Sequence, residues 1–259
     1  MRTRALVLVL SCLVAAANAP PAPQRPRWES VGVPNTGRVS FVVARPSGRG
    51  PFPTVIIFHG THGFAREYLD LARDLARRGV LAVTVCWFSG GAGEGRRFVT
   101  PLDCPAGTPP VAPAESDQAL ATVNSVVAAV RAMPDSRDDQ IALFGHSRGG
   151  GAVRTYALRG GDVQAVIMNS AGYTPAPDLS HLNAAILILH GAADSPADGG
   201  GTLSAVGNAR AFEAALRTAN KPVEAHYYPN GTHNGLFANP RQWRDEVRRI
   251  LQFLDRHFR

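Results

Sequence analysis

The stretch IALFGHSRGGGAVRTYAL, residues 141–158, decides the fold. An apolar run, Ile141 to Phe144, leads into Gly145-His146-Ser147-Arg148-Gly149, and a helix-compatible segment, Gly150 to Leu158, follows. That order describes a strand, a sharp turn and a helix. A serine on such a turn stands exposed above the sheet, because flanking glycines lack the side chains that would collide with neighbouring backbone. Ser147 therefore reads as a nucleophile. The pattern gains weight from the strand before it and from partners downstream in Ser, Asp, His order.

Outward from this turn, strand-like and helix-like segments alternate. Val39 to Ala44, Thr54 to Phe58, Val80 to Cys86, Val163 to Asn169, Ala184 to Leu189 and Val223 to Tyr228 read as strands. Arg66 to Arg78, Glu115 to Ala132, Thr202 to Thr218 and Gln242 to Phe258 read as helices between or after them. Repeated units of this kind build an α/β fold with a mostly parallel central sheet covered by helices. A chain of 259 residues suits one such domain, here residues 28–259. The long Gly/Pro-rich segment from Trp87 to Pro113 follows a strand end, beside the proposed nucleophile. Ala171 to Asn183 is too short to hold a large cap domain.

The first residues have another character. Arg2 and Arg4 precede the apolar run Ala5 to Leu10, and small residues from Ala15 to Ala19 follow, the three parts of a secretory signal. Cleavage is expected after Ala17 or Ala19, and a proline-rich arm, residues 20–27, leads into the domain. The apolar run is too short for a stable membrane span. A lipoprotein anchor at Cys12 is the weaker alternative, because Val9-Leu10-Ser11-Cys12 matches the lipidation box loosely. An exported location, secreted or periplasmic, permits Cys86 and Cys104 to pair across the intervening loop. Of the formal charge of +7, the leader arginines supply two units. The remaining arginines are scattered over helices with no recognition motif, which argues against nucleic acid as a partner.

Serine hydroxyls are weak nucleophiles near neutral pH, so attack requires a base to take the proton. His233 is the candidate, in the loop Gly231-Thr232-His233-Asn234-Gly235 after the last predicted strand. A carboxylate must orient that imidazole and stabilise its protonated form. Asp194 is favoured, following its strand through His190-Gly191-Ala192-Ala193, with Asp198 as the rival; either also suits a helix cap. The developing oxyanion needs preorganised donors. One is the N–H of Arg148, where the helix dipole favours negative charge. The second is expected within His59-Gly60-Thr61-His62-Gly63, and Thr61 N–H directly follows the strand-ending His-Gly. Phe64, Trp87 and Phe88 lie near loops that border an acyl or alcohol pocket, with core packing as the competing assignment. His59 and His62 have poor spacing for zinc and no acidic neighbour, so no metal is expected. His146 and His190 read as hydrogen-bonded structural groups. The glycosylation sequon Asn230-Gly231-Thr232 overlaps the base loop and is taken as incidental.

With these residues in place, the chain resembles the α/β-hydrolase fold, and most closely its dienelactone hydrolase-related branch of small serine esterases. The resemblance implies Ser147 as nucleophile, Asp194 as acid, His233 as base, and Thr61 and Arg148 as oxyanion amides. It also implies hydrolysis of small-molecule or polymer carboxylic esters through an acyl-enzyme, without a cofactor. One departure is that dienelactone hydrolases carry a cysteine at the elbow, whereas this chain carries Ser147. The string Gly-His-Ser-Arg-Gly-Gly, ending at Gly150, also resembles that of chlorophyllases and lipase-like esterases. Acyltransferases and peptidases share the machinery, and non-catalytic binding proteins share the fold.

Overall fold

In the computed structural model, which describes residues 27–91, 94–174 and 177–258, eight strands form one sheet in the order β1-β2-β4-β3-β5-β6-β7-β8. They are β1 (Trp28–Val33), β2 (Gly37–Ala44), β3 (Phe52–Phe58), β4 (Leu81–Cys86), β5 (Ser136–His146), β6 (Ala165–Asn169), β7 (Ala185–Gly191) and β8 (Val223–Tyr228). β2 runs antiparallel to β1 and β4, and the later pairings are parallel. The helices are α1 (Arg66–Ala76), α2 (Asp117–Arg131), α3 (Arg148–Leu158), α4 (Val206–Thr218), α5 (Gly235–Ala238) and α6 (Pro240–His257). This is the α/β-hydrolase fold without a cap domain.

Strand side chains alternate between faces, so a sheet covered on both sides needs apolar residues at every position of its central strands. Val55, Ile57, Phe144, Ile167 and Leu187 pack with Leu71 and Leu75 of α1 and Ile250 and Phe253 of α6. Ile56, Phe58, Leu143, Val166 and Ile188 face the other way, against Val123 and Val126 of α2, Val153 of α3 and Phe212 of α4. Parallel strands all end at one rim, and the loops there carry Ser147, Asp194 and His233.

Some boundaries differ from the sequence reading. β5 starts at Ser136, five residues before the expected Ile141, because its first turn of chain carries exposed Arg137, Asp138 and Asp139 and has no apolar period. The expected helix from Thr202 divides into a 3-10 turn, Thr202–Ser204, and α4. The segment Trp87 to Pro113 contains a 3-10 helix, Glu94–Phe98. Cys86, ending β4, and Cys104 face each other as a disulfide pair with Cα atoms 6.0 Å apart. The leader, Cys12 and residues 20–26 of the arm lie outside the described residues. Among the described residues no helix is long and apolar enough to cross a membrane.

Candidate active site

Between β5 and α3 the chain reverses in one residue. Ser147 takes φ 52° and ψ −115°, a conformation that L side chains rarely adopt and one that costs on the order of 1–3 kcal/mol. Neighbouring glycines permit the turn: a Cβ on Gly145 would strike the Gly149 main chain, and one on Gly149 would strike the Phe58 carbonyl. The Ser147 N–H donates to the carbonyl of Asn169 at the end of β6, 2.9 Å away. The turn is thereby pinned to the sheet rim.

Ser147 Oγ lies 2.8 Å from His233 Nε2, and His233 Nδ1 lies 2.7 Å from Asp194 Oδ2. Burial raises the Asp194 carboxyl, but hydrogen bonds from His190 and His233 and the charges of those rings outweigh it and hold the group below its usual range. An ionised carboxylate only accepts, so Nδ1 carries the ring hydrogen and Nε2 presents a lone pair to the serine hydroxyl. His190 Nε2 is 3.2 Å from the same Asp194 oxygen and donates to the Ser204 carbonyl at 2.7 Å. Asp198 meets the same histidine elsewhere: its Oδ2 accepts from the His233 main-chain N–H at 2.9 Å, and its carbonyl accepts from the Asn234 side chain. Asp194 therefore lies against the imidazole and Asp198 against the backbone that carries it.

The N–H groups of Thr61 and Arg148 have no hydrogen-bond partner among the described residues. Both residues line the cleft of about 400 Å³ that holds Ser147 and His233. Glu115, Gly200 and Leu203 form further parts of its wall. The Gly60–Thr61 peptide is held from behind, since its carbonyl accepts from His59 Nδ1 and from the Gly63 N–H, each at 3.0 Å. A trans peptide points its N–H opposite to its carbonyl. Thr61 N–H is thus fixed in direction and left free.

Phe64, Trp87 and Phe88 do not border this cleft, contrary to the sequence expectation. They are only 1%, 3% and 1% exposed and gather around the His59 ring, with centroids 6.1, 5.9 and 4.4 Å away. Large aromatic rings next to a buried strand gain more by turning into the core than by facing water. Trp87 still contributes indirectly, donating from Nε1 to the His59 carbonyl at 3.0 Å. The segment from Trp87 reaches the cleft through its far end, Pro113, while Arg97 donates to the Ala197 carbonyl in the acid loop at 2.5 Å.

His59 and His62 are both engaged within the protein, on the Gly60 carbonyl and the Tyr68 hydroxyl. Among the described residues no cluster of three or more His, Cys, Asp or Glu is arranged to hold a metal ion. Burial first, with only a hydrogen bond to Gly60 opposing, pushes His59 down to about 3; His62 is pushed to about 4 by burial, then by the charges of His233 and Arg96. His146, also buried, contacts Tyr68 through Nδ1 and the His233 carbonyl through Nε2. Beneath the rim Glu246 of α6 is fully buried, accepting from Asn169 and Gln242. Sequence reasoning singled out neither Tyr68 nor Glu246, since each occupies a place in an amphipathic helix with no local pattern of its own.

A model of the dienelactone hydrolase family matches residues 39–252. The chain belongs to the dienelactone hydrolase family. This family member also resembles solved structures. Dienelactone hydrolase from Anabaena variabilis shares 17% identity at a TM-score of 0.62, over 91% of this chain and 99% of that one. An α/β serine hydrolase without a lid, from Xanthomonas campestris, shares 18% at 0.60, over 92% and 97%. Acylaminoacyl peptidase from Pyrococcus horikoshii shares 14% at 0.68, over 90% of this chain and 42% of the larger enzyme. At such identities the likeness shows the shared fold. Comparison with curated proteins gives no match.

Proposed function

We propose that this chain is an exported serine hydrolase that cleaves carboxylic esters through an acyl-enzyme. The observation that carries the reading is the unbroken hydrogen-bond chain from Ser147 Oγ through His233 to Asp194, set in an open cleft. Ser147 Oγ attacks the ester carbonyl as His233 Nε2 takes its proton, and Asp194 stabilises the imidazolium that results. The tetrahedral oxyanion receives hydrogen bonds from Arg148 N–H and Thr61 N–H. Collapse breaks the bond to the alkoxide, to which His233 returns the proton, leaving an acyl-serine. Water, deprotonated by His233, then adds to that carbonyl, and Ser147 departs with the returned proton. The chemistry uses only groups of the chain itself.

An apolar acyl or alcohol group suits the cleft. Leu203, 49% exposed in its wall, and Val111, 52% exposed two residues before Pro113 of its rim, are the exposed large hydrophobic residues among those described. A small ester or the end of a polyester chain fits such an open site. The leader and the Cys86–Cys104 pair support export, since an oxidising compartment is where that bridge persists.

The deciding experiment is Ser147→Ala assayed on p-nitrophenyl acetate, paired with fluorophosphonate labelling of the wild type and mass mapping of the labelled peptide. Loss of nearly all turnover and a label on Ser147 are expected; unchanged turnover overturns the reading. Adding an alcohol acceptor tests for transfer, and dominant acyl transfer at low acceptor concentration makes the protein an acyltransferase. Mass spectrometry of the exported chain is expected to find an N-terminus at Asn18 or Pro20, and an intact Met1 overturns export.

A further inference from the structure

Behind the cleft, the hydroxyl of Tyr68 meets three groups from two different segments. It lies 2.9 Å from the Gly60 N–H, 2.8 Å from His62 Nε2 and 3.1 Å from His146 Nδ1. Tyr68 itself is fully buried on α1. Phe237 closes the cluster, its ring 5.2 Å from Tyr68 and 5.0 Å from His146.

Every hydrogen in this network is determined. The His233 carbonyl can only accept, so His146 Nε2, 3.2 Å away, carries a hydrogen. Burial, then the charges of His62 and His233, drive His146 well below its usual range, so the ring is neutral and its Nδ1 is a bare lone pair. Tyr68 O–H must donate to that nitrogen. Having spent its single hydrogen, Tyr68 Oη accepts from the Gly60 N–H and from His62 Nε2–H. One bond is donated and two are accepted, which fills the capacity of a phenol.

These partners flank the site. Gly60 precedes Thr61, the proposed oxyanion donor, and His146 precedes Ser147, while the far nitrogen of His146 holds the carbonyl of His233. We propose that Tyr68 is a positioning residue whose hydroxyl holds the oxyanion loop in register with the nucleophile turn and, through His146, with the histidine loop. The proposal rests on the reading of Ser147 as nucleophile. Tyr68 touches no substrate; it fixes where the Thr61 N–H stands relative to Ser147 Oγ.

Tyr68→Phe in the full chain removes only the shared oxygen and leaves Gly60 N–H, His62 and His146 without their partner. On p-nitrophenyl acetate kcat is expected to fall about ten- to hundredfold, the scale for small misplacement of reacting groups, while KM moves by less than about threefold, the mark of an interaction that matters in the transition state. Inhibition by phenylboronic acid, which mimics the tetrahedral adduct, is expected to weaken in parallel with kcat. A folded variant with kcat within twofold of wild type overturns the proposal, and it does so alone if Ser147→Ala is inactive. Where Tyr68→Phe does not fold, long-range 1H–15N correlation spectra of the wild type decide. His146 and His62 are both expected as neutral Nε2–H tautomers at pH 7, and an Nδ1–H tautomer at His146 overturns the network.

Discussion

Arg148 reaches back across the cleft to Thr61, its Nε donating to Thr61 Oγ1 at 3.2 Å. Its Nη1 also donates to the Ala112 carbonyl at 2.8 Å. The two residues proposed as oxyanion donors are therefore joined through their side chains. Arg148→Met keeps the N–H and removes both ties, and Thr61→Val removes the shared one. A neutral-to-charged hydrogen bond of this exposure contributes about 1 kcal/mol, so each variant is expected to lower kcat about fivefold. Because the Arg148–Thr61 contact is common to both changes, the double variant should be little worse than Arg148→Met alone. Steady-state kinetics of the four-member cycle checks this; full additivity means that the tie has no part in placing the donors.

Asp194 and Asp198 both contact His233, yet the chemistry asks different things of them. Asp194 accepts from the ring at Nδ1, whereas Asp198 accepts from the main-chain N–H. Asp194→Asn places an amide where the ring needs an acceptor, disturbs the tautomer and is expected to lower kcat by about 10⁴, as the corresponding change does in the triad of serine proteases. Asp198→Asn retains an acceptor for the backbone and is expected to cost less than about tenfold, the equivalent of one hydrogen bond. A larger loss in kcat/KM from Asp198→Asn than from Asp194→Asn would reverse the assignment.

Why some of this was legible in the chain follows from where each signal lies. β6 and β7 lie close to their predicted spans, because a parallel strand covered on both faces reads as a nearly continuous apolar run; β8, a half-buried edge strand, keeps its span through its β-favouring Val223, Tyr227 and Tyr228. The elbow was legible because close packing of main chain on both sides of Ser147 demands glycine at 145 and 149. β1 escaped notice as an edge strand whose exposed Ser30 and Gly32 break any apolar pattern, and α5 is one turn long. Direction is what a sequence withholds: Phe64, Trp87 and Phe88 stand next to the site in the chain and turn away from it. Tyr68 finds its partners 6, 8 and 78 residues distant, a relation with no local period.

The Cys86–Cys104 pair closes the base of the segment that runs to Pro113, and with it the small cluster of Phe64 and Leu69. In the chain-entropy model a loop of this length is worth about 3 kcal/mol. For a chain of this size that corresponds to roughly 6–12 °C of midpoint. Cys86→Ser/Cys104→Ser is expected to lower the thermal midpoint by that order, and excess dithiothreitol to lower the wild type but not the variant. Two free thiols in the untreated protein would remove the basis for the effect.

Glu246 gives the protein a pH dependence of stability that is separate from its chemistry. Burial above all, with a contribution from Asp245, pushes its carboxyl up to about 8 from 4.5, against hydrogen bonds from Gln242 and Asn169 and the charge of Arg249. The protonated acid has a ready acceptor, because Asn169 Oδ1 is buried without a partner and a turn of that amide presents it to Glu246. Between about pH 4.5 and 8 the folded chain holds a proton that the unfolded chain has released. Unfolding free energy therefore falls as pH rises through that window. Glu246→Gln keeps the shape and cannot ionise, so its thermal midpoint relative to wild type should climb from pH 5 to pH 8, at roughly 2–4 °C for each kcal/mol recovered. Calorimetry at several pH values measures the difference directly; a gap between the two proteins that stays constant from pH 5 to pH 8 would show that Glu246 does not carry this proton.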